Sequence, residues 1–125
     1  MIHGIGTDIV AVSRLARLLE RHGSRGVGKI LAPHEQDELA KTRNPARFLA
    51  RRWAAKEAFG KALGTGIRPP ALLTAIGVGH DELGKPCFIL APDLQAVLES
   101  RQLIPHLSIS DEAEYAVAYV ILERP

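Results

Sequence analysis

The chain has 125 residues, of which 46% are hydrophobic and 24% charged, and its formal net charge is +2. This length predicts one domain, 1–125, and the composition is ordinary for a soluble globular protein, with too little net charge to argue for nucleic-acid binding by itself. No apolar run approaches the roughly 18 residues of a membrane-spanning helix, the N-terminus lacks the pattern of a signal peptide, and the single cysteine, Cys87, excludes an internal disulfide and suits a reducing cytoplasm.

The first segment, Ile2 to Val12, reads as a strand followed by a turn. Gly4 and Gly6 interrupt it, and glycines inside a strand usually mark a bulge or the close approach of another backbone. Asp8 follows directly. It is either a turn or capping aspartate or a hard oxygen ligand.

Ser13 is a plausible N-cap for a helix over Arg14–Arg21, and Gly23 is a plausible end for it. This helix carries a basic stripe, with arginines spaced at i, i+3 and i+7: Arg14, Arg17 and Arg21. The stripe is either a solvated face or a docking surface for an acidic partner, since no acidic residue on it neutralises the charge.

A short helix is predicted over Pro33–Leu39, with proline at its first position. A long helix then starts at Pro45, with Asn44 as N-cap, and ends before Gly64 as the C′ residue. Apolar side chains at helical spacing predict the face that packs in the core: Phe48, Ala55, Phe59 and Ala62.

Glu57 points away from that apolar face and lies among very small side chains, with Trp53 and Lys61 one turn to either side. The interpretation without a function is a solvated Glu57–Lys61 ion pair, which stabilises the helix by only a few tenths of a kcal/mol. The outward tryptophan, the small residues and the Gly64-Thr65-Gly66 turn favour a binding site instead.

The rest of the chain is predicted to form four strands and one short helix. Leu72–Gly79 and Cys87–Leu90 are predicted to form a hairpin, since Asp81–Lys85 has turn chemistry. A short amphipathic helix over Pro92–Gln102 follows, and then two antiparallel strands over His106–Ser110 and Tyr115–Glu123. The fold class is therefore α+β, a mainly antiparallel sheet packed on helices.

Asp8 and Glu57 come from separate elements, and two carboxylates completed by water and substrate phosphates make a typical Mg²⁺ site. Backbone N–H groups of Gly64, Thr65 and Gly66 can face phosphate oxygens. Lys61, Arg51 and Arg52 supply positive charge for a polyphosphate. The turn is not a P-loop, because it ends a helix where a P-loop would begin one.

Four segments resemble the 4′-phosphopantetheinyl transferases, and most closely the short bacterial holo-acyl-carrier-protein synthases. They are Gly4-Ile5-Gly6-Thr7-Asp8-Ile9, then Trp53-Ala54-Ala55-Lys56-Glu57-Ala58 with Lys61, then Gly64-Thr65-Gly66-Ile67, and finally His106-Leu107-Ser108-Ile109-Ser110. Gly84-Lys85-Pro86 is a weaker match. The resemblance spans nearly the whole chain, and the order of the motifs makes it specific.

The resemblance implies that coenzyme A gives its 4′-phosphopantetheine group to a serine of apo acyl carrier protein, for fatty acid biosynthesis in the cytoplasm. It assigns the metal to Asp8 and Glu57, the pyrophosphate to Lys61, the 3′-phosphate to Arg52 and the nucleotide's surroundings to His106. It also implies a homotrimer with coenzyme A between subunits.

By the same resemblance, the basic first helix docks the acidic carrier protein through Arg14, Arg17 and Arg21. The chain departs from the pattern at one position, since many relatives have histidine where this chain has Asp111. Asp111 is either a simple turn residue or a change that alters nucleotide binding.

Two other classes of function compete with this interpretation. A small basic RNA-binding protein would use the arginines and show strong salt dependence, although only six aromatic residues are available for stacking on bases. A purely structural oligomerisation module would bury the small-residue strip around Glu57 in a helix–helix contact and would not respond to ligand.

Overall fold

The computed structural model describes the chain from Met1 to Pro125, and none of its helices is long and apolar enough to cross a membrane. The elements in chain order are β1 (Ile2–Ala11), α1 (Val12–Val27), α2 (Pro33–Leu39), α3 (Pro45–Leu63), β2 (Ile76–His80), β3 (Pro86–Leu90), α4 (Pro92–Ser100), β4 (Ile104–Asp111) and β5 (Tyr115–Glu123).

The strands form two antiparallel sheets, a three-stranded one in the order β1-β5-β4 and the separate β2-β3 hairpin. The long helix α3 packs across β1 and β5. Alternate β5 residues from Ala116 to Leu122 are buried beneath it, as the two-residue period of a strand requires. The predicted α+β class with antiparallel strands on helices is confirmed.

Both predicted ends of α3 are confirmed. The Asn44 side chain accepts a hydrogen bond from the N–H of Arg47, 3.1 Å away, and so satisfies a donor that the first turn leaves free. Gly64 ends the helix at a φ of 89°, in the left-handed region that glycine enters without strain. Because both ends are held, α3 presents its side chains to the sheet in a defined register.

The glycines of β1 let the strand backbone lie directly on α3, as their positions predict. A Cβ added at Gly4 or Gly6 would fall 1.9 Å from a carbonyl oxygen of α3, that of Ala62 or Ala58. The strand and the helix that carry the candidate site residues are therefore held closer than any side chain would allow.

Gly6→Ala is expected to lower the free energy of unfolding by about 3 kcal/mol, because an added methyl must displace helix backbone rather than a flexible side chain. Chemical denaturation measures this. Gly28→Ala is the control: it has an ordinary φ of −62° and no atom closer than 3.4 Å to the added carbon. Equal losses in both variants would contradict this account of the contact.

Three predicted boundaries are wrong. Ser13 is not the N-cap of α1, which starts at Val12 after an extended Ala11, and Gly23 is a kink inside α1 with a φ of 53° rather than its end. The helix resumes after the kink because Gly23 absorbs the turn that another residue would resist. The strand predicted over Leu72–Gly79 is confined to Ile76–His80, since no partner strand lies opposite its first residues.

Candidate active site

The site is built where β1 lies against α3. Asp8 is on the helix-facing side of β1, in register with the buried Ala118 of β5. The Lys61 ammonium reaches across from α3 and donates to the Thr7 carbonyl at 2.9 Å and to Asp8 Oδ1 at 3.2 Å. The structure thus brings together Asp8, which the resemblance assigns to the metal, and Lys61, which it assigns to the pyrophosphate.

Glu57 joins them from the preceding turn of α3. Burial raises the pKa of its carboxyl, and the negative charge of Asp8 raises it further, while Lys61 and Arg14 oppose the shift. Lys61 makes its ion pair with Asp8 and none with Glu57, so the simple solvated Glu57–Lys61 pair is not what forms. The two carboxylates face each other closely enough to repel.

This pair suits a hard divalent cation. Asp8 Oδ2 is buried and has no hydrogen-bond partner, which is costly for a carboxylate oxygen unless something else fills its place. No group of three or more His, Cys, Asp or Glu side chains is arranged so that it could hold a metal ion by itself. Mg²⁺ needs no such cluster, since it usually keeps several waters and takes one or two carboxylates together with substrate phosphates.

The basic stripe on α1 begins beside this site. Arg14 lies over the ring of Trp53, with its guanidinium carbon 5.1 Å from the ring centre. Trp53 is half-buried and stands one turn before Glu57. Arg17 and Arg21 are exposed and make no salt bridge within the chain, so neither of these two charges is paired.

A cavity of about 270 Å³ adjoins Trp53 along the second half of α1. Its apolar lining is formed by Leu18, Ile30, Trp53 and Leu73, while His22, Arg25 and Lys29 give it a basic side. An acidic partner with an apolar side chain would complement both parts of this surface.

Comparison with known proteins identifies the family. The family model described as the 4′-phosphopantetheinyl transferase superfamily matches residues 4–120. The chain belongs to this superfamily. A holo-[acyl-carrier-protein] synthase of Dechloromonas aromatica is 62% identical over 124 residues, covering 99% of each chain.

Solved structures confirm the predicted 4′-phosphopantetheinyl transferase fold. The crystal structure of the Neisseria meningitidis holo-[acyl-carrier-protein] synthase has 46% identity and a TM-score of 0.96, and the match covers 99% of this chain and 100% of that one. A holo-(acyl-carrier-protein) synthase of Bacillus anthracis in complex with CoA (3′,5′-ADP) has 37% identity and a TM-score of 0.84, over 100% and 99% of the chains.

The Gly64-Thr65-Gly66 turn differs from the sequence expectation. The N–H groups of Gly64 and Gly66 both donate to the Gly60 carbonyl at 3.1 Å, because they close the end of α3. They are therefore not free for a phosphate. The Thr65 N–H has no such partner, and its exposed position leaves it available.

Arg52 is not exposed, as a phosphate ligand would be, but only 4% accessible. Its guanidinium donates to Glu35 at 3.1 Å, to the Val78 carbonyl at 2.8 Å and to Glu38 at 2.7 Å. Binding the 3′-phosphate of a nucleotide would require some of these contacts to be exchanged.

Asp111 is more than a turn residue. It forms salt bridges to two arginines one turn apart on α3, Arg47 and Arg51. The distance from Arg51 Nε to Asp111 Oδ1 is 3.5 Å. The residue that departs from the family pattern therefore ties the first half of α3 to the end of β4. It also partly neutralises Arg51, which the sequence offered as charge for a polyphosphate.

His106 lies apart from Asp8 and Glu57 within one chain. It is in register with Ile121, on the face of the sheet that α3 does not cover, and its Nε2 lies 3.0 Å from Glu123. It lines a separate cavity of about 160 Å³ next to the β2-β3 turn, with Lys85, Pro86 and Cys87. The predicted coenzyme A residues thus fall on two sides of the sheet.

Two buried charges escaped the sequence analysis, Glu35 on α2 and Lys56 on α3, both wholly inaccessible. Glu35 looked like an ordinary acid in the first turn of a short helix, and Lys56 like part of a family motif. A usable signal was the spacing of Lys56, which lies seven residues from both Leu49 and Leu63 and therefore on an apolar side of α3, where a lysine must find a buried partner.

Glu57→Gln is expected to raise the free energy of unfolding by about 0.5 kcal/mol or less at pH 7 to 8, a value reduced by solvent screening. The pKa of Glu57 is higher in the folded state than in the unfolded state. The free energy of unfolding of the wild-type protein therefore falls as the pH rises from the unfolded-state pKa to the folded-state pKa. At a pH below the unfolded-state pKa, Glu57→Gln should no longer be more stable than the wild-type protein.

Chemical denaturation at pH 4 and pH 8 measures this difference, with Glu82→Gln in the exposed β2-β3 turn as the control. A gain at both pH values, or the same gain in the control, would contradict the raised pKa of Glu57.

Proposed function

We propose that this chain transfers the 4′-phosphopantetheine group of coenzyme A to a serine of apo acyl carrier protein, yielding holo carrier protein and 3′,5′-ADP. The convergence of Asp8, Glu57 and Lys61 at the β1–α3 contact carries the proposal. The names of its relatives, holo-[acyl-carrier-protein] synthases, support it. We place the activity in residues 1–125 as one domain, in the cytoplasm, in support of fatty acid biosynthesis.

Asp8 and Glu57 would hold Mg²⁺, and the unpartnered Oδ2 of Asp8 supports this assignment. The ion, when bound, supplies positive charge to the diphosphate as its P–O bond breaks. Lys61, which donates to the Thr7 carbonyl, would neutralise the leaving 3′,5′-ADP phosphate. Thr65 adds one free backbone N–H at the end of α3.

In the transfer, the serine oxygen of the carrier protein bonds to the phosphorus of the phosphopantetheine group, and the bond from that phosphorus to the oxygen of 3′,5′-ADP breaks. The serine proton goes to Glu57 or to a water held by the two carboxylates.

We propose that three copies assemble through the uncovered face of the three-stranded sheet. Large apolar residues are exposed there, and they are Ile5, Ile9, Ile104, Tyr115 and Tyr119. A continuous exposed apolar face typically marks an interface. His106 lies on the same face, so a neighbouring copy could bring its His106, and with rearrangement its Arg52, to the nucleotide.

The carrier protein would dock on α1. Acyl carrier protein is acidic, and Arg14, Arg17 and Arg21 form an unneutralised stripe that starts next to Trp53 and the Asp8–Glu57 site. Such charge complementarity steers encounter and fixes orientation. The docked serine would then lie near Glu57.

The decisive experiment incubates apo acyl carrier protein with coenzyme A, Mg²⁺ and this chain, and measures the intact mass of the carrier. We expect a gain of one phosphopantetheine group, lost when the metal is chelated or the acceptor serine is replaced by alanine. An unchanged carrier mass with folded wild-type protein would overturn the proposed function.

A further inference from the structure

A wholly buried ammonium group links segments that are distant in the sequence. Lys56 Nζ donates to the Glu35 carboxylate, to the Ile30 carbonyl at 2.6 Å and to the Leu73 carbonyl at 2.8 Å. All three of its donors are therefore used. Burial lowers the pKa of Lys56, and the facing carboxylate of Glu35 opposes that shift.

Glu35 is fixed just as completely. One oxygen accepts from the Ala32 N–H at 2.8 Å as well as from Lys56, and the other accepts from Arg52 and from the Val78 N–H, both at 3.1 Å. Four hydrogen-bond donors around a buried carboxylate restrict it to a single position and orientation. Lys56 is consequently held on a rigid support rather than on a mobile loop.

The two carbonyls that Lys56 binds belong to two walls of the 270 Å³ cavity beside Trp53. Ile30 follows α1, Leu73 lies in the segment after α3, and both line that cavity. Lys56 precedes Glu57 in α3, on the core side of the helix. Its side chain thus cross-links the walls from beneath and reaches neither solvent nor the Asp8–Glu57 site.

We propose that Lys56, held by Glu35, is a positioning residue that sets the shape of this cavity and through it the affinity for the carrier protein. The inference rests on the proposed function, in which the carrier docks along α1. Lys56 contacts no substrate. Its role differs from that of a core residue because its loss alters one binding surface and leaves Asp8, Glu57 and Lys61 in place.

The test compares Lys56→Met, which keeps the length of the side chain and removes its donors, with Leu98→Ala, a truncation in the core under α4. Glu35→Gln with Lys56→Met serves if the single variant does not fold, because removing both charges leaves no uncompensated carboxylate at this position. Steady-state kinetics gives separate KM values for carrier protein and coenzyme A, and Trp53, the single tryptophan, reports cavity shape by acrylamide quenching.

For Lys56→Met we expect the KM for carrier protein to rise about 10-fold or more, since small displacements of a remote support can be this costly. The KM for coenzyme A should change by less than about twofold, as expected when uniform binding of one substrate is lost. Trp53 should become more accessible to acrylamide. Leu98→Ala should lower the melting temperature and alter neither KM nor quenching.

Equal changes in both variants, parallel rises in the two KM values or an unchanged Trp53 would overturn the proposal. Wild-type transfer is measured first in the same assay. Absence of wild-type transfer would refute the proposed function, whereas the quenching comparison would still decide whether Lys56 shapes the cavity.

Discussion

Asp8→Asn is expected to lower kcat for phosphopantetheine transfer by about 10³-fold, because losing one preorganised charge-stabilising group typically costs about 3 to 4 kcal/mol of transition-state stabilisation. The variant should fold, since Asp8 Oδ2 has no partner to lose and Oδ1 bonds only Lys61. Its thermal stabilisation by Mg²⁺ with coenzyme A should disappear.

Asp37→Asn is the matched control, since it removes one carboxylate from an exposed position on α2 that makes no salt bridge. It should leave both kcat and the metal-dependent shift in melting temperature unchanged. Transfer by Asp8→Asn at the wild-type rate, or wild-type transfer that persists in a strong chelator, would contradict the metal assignment.

Ile9→Glu is expected to convert a trimer into monomers and to lower transfer by about 10²-fold or more, because an unpaired charge buried in an interface costs about 3 to 5 kcal/mol. Ile9 is 66% exposed and in register with Val117, on the edge strand β1 of the uncovered sheet face. Activity should fall with assembly, since His106 lies on this same face, away from Asp8. Sedimentation velocity gives the mass, and the carrier assay gives the rate.

Leu83→Glu provides the control, because it makes the same kind of change at a residue that is 95% exposed in the β2-β3 turn. It should leave mass and rate unaltered. A wild-type monomer that transfers at full rate, or an Ile9→Glu variant that remains assembled and active, would contradict a site shared between copies.

Local signals predicted most of the elements. The ends of α3 followed from Asn44 and Gly64, since capping depends on a residue's own backbone and side chain. The glycines of β1 predicted a close contact without naming the helix that makes it. Boundaries set by neighbours were missed, as in α1, where Gly23 bends the helix rather than ending it.

The motifs likewise predicted some features of the candidate site and missed others. Motif order pointed to Asp8, Glu57 and Lys61, which the fold brings to one place. It assigned Gly64 both as the C′ residue of α3 and as a phosphate ligand, although a C′ residue already uses its N–H to close the helix. Motif order could not show that Arg52 is buried against Glu35 and Glu38, because partners distant in sequence leave no periodic signal.

By itself, the sequence determined the family, the α+β class and the pair of acids Asp8 and Glu57, because each can be recognised from residue types at characteristic spacings. The tertiary structure alone decided which charges are free. It buried Arg52 and Lys56 around Glu35, tied Arg51 to Asp111 and placed His106 on the opposite face of the sheet. The physical reason is that a charge's environment is set by packing between elements, and a chain read residue by residue carries no record of which elements meet.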